Sequence, residues 1–424
     1  MQNLEAVELG LRAAMNRDLC RVLEDLLNDP GLVVPEDQGL PGEKLHSGRA
    51  KGVESIFGSF QIRRNYYYRA GEEEEENGRA PLDEALGLLN SYSPGLVRMM
   101  CRVGARGSFV AGEQDLKALA GVQVQSRQIQ RVVNWVGPSV RETLQPKELP
   151  QALSQRIPVF YIALDGTGVP MVPEELEGRA GKQEDGSAKT CEIKVGCTFT
   201  QTKTDDDGLP VRDHQSTSYL VSFDPSADFG SQLRQEALRR GMARAEVTAV
   251  LSDGASGLRK VAEDKFPLAI HILDMYHALV HLNALAGELY GKDSAEAKAA
   301  QIRWKDWLEE DKVQSVLDEA NERVKKLRGP RRQEALENIG YVENNKDRML
   351  YGTYRQQGLF YGSGVVEAGC KTIIGQRLKN SGMFWTKPGA LNVAILRCAL
   401  LDERFDNYWD QRNKTDQFTI KVVA

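Results

Sequence analysis

Two aspartates stand in matching local settings far apart along the chain. Asp165 closes the run Ile162-Ala163-Leu164-Asp165-Gly166-Thr167-Gly168, and Asp253 closes Val250-Leu251-Ser252-Asp253-Gly254-Ala255. An Asp-Gly pair just past a buried strand is often only a turn. Two such pairs on separate strands of one sheet carry more weight. If those strands are parallel neighbours, both carboxylates reach one edge, where open α/β sheets bind ligands. Close carboxylates repel unless a cation lies between them. Their oxygens suit a hard ion, Mg²⁺ or Mn²⁺.

A two-ion clamp needs a third carboxylate. Glu367 is the candidate, within Gly364-Val365-Val366-Glu367-Ala368-Gly369-Cys370-Lys371. Its small neighbours let a helix approach a sheet closely, and Lys371 one turn on is placed to reach a phosphate. Without the aspartates, Glu367 and Lys371 read as an i,i+4 surface pair. Asp274 and His277 follow in Ile272-Leu273-Asp274-Met275-Tyr276-His277, and Asp274 is an alternative ligand. His277 and His281 lie four apart on one helix face, a spacing that also suits zinc, but neither an HExxH motif nor a CxxC pair assists them.

These residues need a sheet to position them. The periodicity predicts strands at Val159–Leu164, Thr190–Thr200, Thr217–Phe223, Val247–Leu251 and Ala269–Leu273. Helices are predicted at Phe229–Gly241, Ser256–Phe266 and Met275–Tyr290. The order βββαβαβα is a mixed α/β sheet that begins with three meandering strands. Its first and fourth strands would be parallel neighbours, each ending in an aspartate. From Ser294 to about Asn345 the pattern is helical throughout, and another helix runs from Gly362-Ser363-Gly364 through Arg377.

The region before residue 150 reads differently. Leu4 to Leu26 keeps a helical spacing, a Pro/Gly-rich linker extends to about Gly48, and Val53–Tyr68 alternates as a hairpin around Gly58-Ser59. Two helices, Glu113–Ala120 and Ser126–Val136, are joined by a short Gly-containing turn, with Ser126 as N-cap. That outline fits a helix-turn-helix DNA reader with Arg127 and Arg131 outward, but by itself it is more commonly an αα-hairpin in a bundle. The expected organisation is an N-terminal region over 1–95, a helix-turn-helix-like region over 96–150, a core over 155–290, a helical insertion over 291–359 and the rest of the core over 360–424.

Composition limits the function classes. With 424 residues, 41% hydrophobic and 27% charged, the chain can bury a substantial core. No stretch of about 18 apolar residues suggests a membrane span. Met1–Leu11 lacks the pattern of a secretory leader, so a cytoplasmic protein is expected. The six cysteines form no CxxC pair and read as small buried hydrophobes. The net charge of -5 requires any nucleic-acid grip to be local. Part of the acid is the run Glu72–Glu76, read as a solvated loop. Arg323, Lys325, Lys326, Arg328, Arg331 and Arg332 make one basic cluster, and Lys371, Arg377, Lys379 and Lys387 a second. Trp385 is placed to stack on an unpaired base, or to join the core.

Taken together, four motifs resemble the ISKra family of insertion-sequence transposases, bacterial relatives of the Mutator group. They are Asp-Gly-Thr-Gly at 165–168, Ser-Asp-Gly-Ala at 252–255, Phe-Pro-x-Ala-x-x-Ile-Leu-Asp-x-Tyr-His at 266–277 and Gly-Ser-Gly-x-Val-Glu at 362–367. The resemblance runs from about Ser108 to Leu401. It implies an α/β ribonuclease-H-like core with a mixed five-stranded sheet, an all-helical insertion and a mainly helical N-terminal region. It also implies a DDE triad of Asp165, Asp253 and Glu367 holding two Mg²⁺ or Mn²⁺ ions, with Asp274 and His277 as support. Arg377, Lys379 and Trp385 match the basic segment after the glutamate. The expected activity is cleavage at element ends and strand transfer into target DNA, by a homodimer or higher oligomer. Relatives often carry paired cysteines after the tyrosine-rich hairpin. None lies between Cys20 and Cys101 here, so a zinc ribbon is not expected.

Overall fold

The computed structural model describes residues 3–415 apart from 35, 70–77, 145–156, 179–187, 214 and 363. The acidic run Glu72–Glu76 and Ser363, read as part of a helix start, lie outside the described residues. The chain divides into two units, Met1–Thr143 with Glu403–Ala424, and Leu144–Asp402. The stretch 360–424 is thus shared between them.

In the first unit, α1 (Leu4–Leu27) lies against a hairpin of β1 (Glu43–Ser55) and β2 (Gly58–Arg69). Asn3 caps α1, its side-chain oxygen accepting from Ala6 N–H at 3.0 Å. The linker expected to reach Gly48 ends earlier, because β1 pairs with β2 from Glu43 onward, with a register shift between His46 and Arg49. Cys20, Leu27, Val53, Phe60, Ile62 and Leu82 form the local core. Asp83 on α2 (Pro81–Ala85) pins the hairpin through Lys51 and Arg64, each at 2.7 Å.

After α3 (Pro94–Arg106), α4 (Phe109–Asp115) runs into a π-helical turn, Leu116–Ala120, that Gly121 ends at φ 72°. α5 (Ser126–Leu144) follows. Ser126 is its first residue and not its cap. Gln125 takes the capping position, its N–H donating to Gln128 Oε1 at 2.7 Å. Ile129, Val132, Val133 and Val136 are buried, while Arg127 and Arg131 are exposed.

The second unit is built on a five-stranded sheet. Its strands are β3 (Ile157–Pro170), β4 (Thr190–Gln201), β7 (Ser218–Ser222), β8 (Ala245–Ser252) and β9 (Ile270–Leu273), in the order β7-β4-β3-β8-β9. A small ribbon of β5 (Lys203–Thr204) and β6 (Pro210–Val211) lies between β4 and β7. β3 pairs antiparallel with β4 and parallel with β8, and β8 pairs parallel with β9. The mixed α/β sheet read from periodicity is therefore present, with its first and fourth strands adjacent.

Alternate residues of β3 serve opposite faces. Phe160, Ile162 and Leu164 pack with Phe229 and Leu233 of α6 (Ser226–Arg239) and Leu258 and Val261 of α7 (Ser256–Lys265). Each such burial contributes about 2 kcal/mol. Tyr161 turns the other way and stacks on Phe199 at 4.7 Å, with Phe360 edge-on at 5.4 Å.

Beyond α8 (Met275–Tyr290), four helices precede the glutamate segment: α9 (Ala295–Glu309), α10 (Val313–Val324), α11 (Gly329–Asn345) and α12 (Tyr351–Gln356). Glu319 joins α8, α9 and α10, accepting from Tyr290, from Arg303 at 2.5 Å and from Trp304 Nε1 at 3.1 Å. Burial alone would raise its pKa, but these three donors outweigh that and hold it below the usual glutamate value. Its stabilising contribution is thus complete at neutral pH and lost as pH falls through the lowered pKa. Glu319→Ala is expected to cost about 2 kcal/mol at pH 7. The difference in urea midpoint from wild type should narrow in acid, and a difference independent of pH would exclude an ionic role.

Candidate active site

Leu164 pairs with Ser252 as the last registered residues of β3 and β8. Asp165 and Asp253 follow immediately on strands spaced about 4.8 Å apart. Asp165 is not at a strand end, as the sequence suggested. β3 runs on to Pro170, paired with β4, and only its parallel partner stops. The Gly-Thr-Gly run is strand because its glycines leave room for neighbours. A Cβ on Gly166 would lie 2.6 Å from Glu192 Oε1, and one on Gly168 2.7 Å from Thr190 Oγ1. Asp253 does turn. Its Oδ1 accepts from Ala255 N–H at 2.9 Å, and Gly254 takes φ 85°.

Asp165 lies on the Tyr161 side of the sheet, away from α6 and α7. Its Oδ1 accepts from Gly166 N–H at 2.7 Å. Burial raises its pKa most. The Cys370 thiol and the Gly166 amide oppose this, Asp253 adds to it, and His277 opposes it. Cys370 is buried with its own pKa raised, first by burial and then by Asp165, so it remains a thiol and donates. Cys370 had no warning in the sequence, since a lone cysteine in a helix reads as packing.

Asp274 is 1% exposed. Its N–H donates to Ser252 C=O at 2.9 Å, and its Oδ1 accepts from His277 N–H at 2.8 Å as the N-cap of α8. His277 Nδ1 lies 3.3 Å from the same oxygen but makes no aligned hydrogen bond among the described residues. His277 has a raised pKa, first from Asp274, with burial opposing and with further raising from Asp253 and Asp165. His281 is engaged elsewhere, with Asn338 at 2.8 Å and stacked on Tyr341 at 3.6 Å. Tyr341 in turn donates to Asp253 C=O at 2.8 Å, tying the insertion to the strand end.

The glutamate arrives on a tethered segment. Gly358 C=O accepts from Gln201 at 2.9 Å, Phe360 N–H donates to Tyr161 Oη at 3.1 Å, and Tyr361 C=O accepts from Met275 N–H at 3.0 Å. Then α13 (Gly364–Gly369), a π-helical segment Cys370–Gly375 and α14 (Gln376–Leu378) follow. α13 packs on β3 and β4. Gly369 permits this approach, since a Cβ there would lie 2.7 Å from Tyr219 Cε1. Glu367 is exposed, one turn before the cysteine that touches Asp165.

Asp165 and Asp253 thus offer adjacent hard oxygens suited to a divalent cation. Glu367 is exposed on α13, which packs on β3 and β4. Among the described residues, no three His, Cys, Asp or Glu side chains are grouped closely enough to hold a metal ion.

The basic residues separate into two kinds. Lys379 is exposed and donates to Thr167 Oγ1 at 2.5 Å, two residues along β3 from Asp165. Lys371, Lys326 and Arg332 are exposed, and Arg331 is exposed but held by Glu288 C=O at 2.5 Å. Arg377 and Trp385 do not offer the DNA-facing groups expected of them. Arg377 is fully buried, with its guanidinium 5.0 Å from the Trp385 ring centre and its pKa pulled down to about 10 by burial and by Arg397. The Trp385 indole donates to Leu378 C=O at 3.0 Å. The two form a core pair, which closes the turn before α15 (Lys387–Leu401) and α16 (Arg404–Thr415).

All six cysteines are free and buried. Among the described residues no helix is long and apolar enough to cross a membrane.

The fold and site define a mixed α/β sheet protein with paired carboxylates at a parallel strand edge. The chain is similar to "UPF0236 protein in vanSb 3'region" of Streptococcus gallolyticus, 25% identical over 425 residues, covering 96% of this chain and 85% of that one. No family model matches it. Among solved structures it aligns with "Drosophila P element transposase strand transfer complex" at 9% identity and a TM-score of 0.28, over 79% of this chain and 83% of that one.

Proposed function

We propose that this chain is a DNA-cleaving and strand-joining enzyme of the transposase class, on a ribonuclease-H-like sheet, of the ISKra type its motifs resemble. The observation that carries the reading is the register. Leu164 opposite Ser252 makes Asp165 and Asp253 leave a parallel strand pair together. Like charges so placed disfavour each other, and a binding site for a cation gives them a purpose.

In this reading Asp165 and Asp253 hold one side of a two-ion site, and Glu367 completes it when DNA draws α13 inward. When bound, Mg²⁺ or Mn²⁺ lowers the pKa of an attacking hydroxyl and stabilises the leaving oxygen. The chain does the positioning. Cys370 and the Gly166 amide donate to Asp165 and orient it. Asp274 holds the start of α8 and the His277 ring beside the aspartates. Lys371, one turn after Glu367, and Lys379, bonded to Thr167 two residues from Asp165, supply charge for phosphate. Arg127, Arg131, Lys326, Arg331 and Arg332 supply the wider electrostatic grip on duplex DNA.

One observation favours a second reading, a DNA-binding protein that does not cut. Asp165, Asp253 and Glu367 do not form a grouped three-ligand set among the described residues. Incubation with labelled element ends and plasmid target, with and without Mn²⁺, separates the readings. Metal-dependent nicking and joining of precut ends supports the enzyme, nicking alone supports a nuclease, and binding without either supports the second reading.

Binding is expected to weaken steeply with salt. Replacing Arg331 and Arg332 with alanine should reduce the log–log slope by roughly one for each phosphate that is no longer neutralised. An unchanged slope would remove both residues from the interface.

A further inference from the structure

The first helix has two apolar sides and only one is used. Cys20 and Leu27 of α1 are buried in the core shared with the hairpin. Leu4, Val7, Leu11, Met15, Leu19 and Val22 lie on another face and are between 37% and 72% exposed. A surface helix ordinarily presents polar side chains to water. A contiguous apolar face several turns long marks an interaction surface. No described segment of this chain covers it.

We propose that this face pairs antiparallel with the same face of a second copy of the chain. The spacing supports it. Intervals of three, four, four, four and three read the same from both ends, so Leu4 falls opposite Val22, Val7 opposite Leu19 and Leu11 opposite Met15. Such self-matching is what an isologous two-fold contact requires. The area supports it as well. Covering these six side chains on both copies removes roughly 1,100 Å² from water, about where specific association begins. The helix dipoles set the direction, because antiparallel pairing opposes them whereas a parallel pair would align them like against like. None of this rests on the DNA reading.

The test is sedimentation velocity of the full chain across a micromolar dilution series, without DNA. Wild type is expected to dimerise, and Leu11→Asp with Met15→Asp to raise the dimer dissociation constant at least ~100-fold. Unchanged far-UV circular dichroism would show that α1 remains folded in the variant. Should the charged variant unfold, chains carrying Leu11→Cys are mixed with chains carrying Met15→Cys and oxidised. The mixed disulfide is expected to dominate over either homodimer. A wild type monomeric throughout, a dimer indifferent to the aspartates, or Leu11→Cys linking mainly to itself would each overturn the proposal.

Discussion

Asp165→Asn is expected to reduce metal-dependent DNA nicking by at least ~10³-fold, about 4 kcal/mol of transition-state stabilisation. The same change should leave the metal-free protein as stable as wild type or more so. Asp165 is a half-buried carboxylate beside Asp253, and burial already raises its pKa. Asparagine removes the charge and keeps an oxygen for the Gly166 amide. The pH dependence follows from the direction of the shift. An acid whose folded pKa is raised binds its proton more tightly when folded, so stability is greater below the unfolded value. That gain is lost as pH rises through the folded value. Melting curves of wild type without metal should therefore show a loss of stability just above the ordinary aspartate range, and Asp165→Asn should flatten it. Stabilisation by Mn²⁺ should vanish in the variant. Nicking at the wild-type rate would remove Asp165 from the chemistry.

Glu367→Gln is expected to reduce nicking by a similar factor while leaving the melting temperature unchanged within about 1 °C. The contrast rests on exposure, since the Glu367 side chain faces water and its replacement leaves the packing of the fold intact. Structural damage in the same segment should look different. Gly369→Val forces a side chain against Tyr219, so it should lower both activity and melting temperature. If Glu367→Gln retains full activity, the third carboxylate must come from elsewhere. Asp274, buried beside His277, would then be the residue to replace next.

Much of the sheet was legible because its strands are buried on both faces and read as continuous apolar runs between turn residues. Val247–Leu251 and Ala269–Leu273 lie within or next to β8 and β9, and Met275–Tyr290 matches α8. The end of β3 was misread because Asp-Gly is a turn signal. Here antiparallel pairing with β4 holds the backbone extended through Pro170, and side chains from β4 occupy the space the glycines leave. The basic motif misled for a related reason. A segment with Arg377 and Lys379 around Trp385 looks like one phosphate-binding strip, but helix geometry turns alternate members to opposite sides. Lys379 meets Thr167 beside the aspartates, while Arg377 is driven into the core and rests on Trp385.

By itself the sequence determined the mixed sheet, the helices on it and the placing of Asp253 just past a buried strand. Those features are local, set by periodicity and by the residues that end a strand. Only the tertiary structure decided that Cys370 donates to Asp165, that Tyr341 braces Asp253, and that Glu367 stands exposed a helical turn before that cysteine. Such contacts join segments far apart in the chain, and their distances depend on how α13 packs against β3 and β4, which no residue pattern encodes.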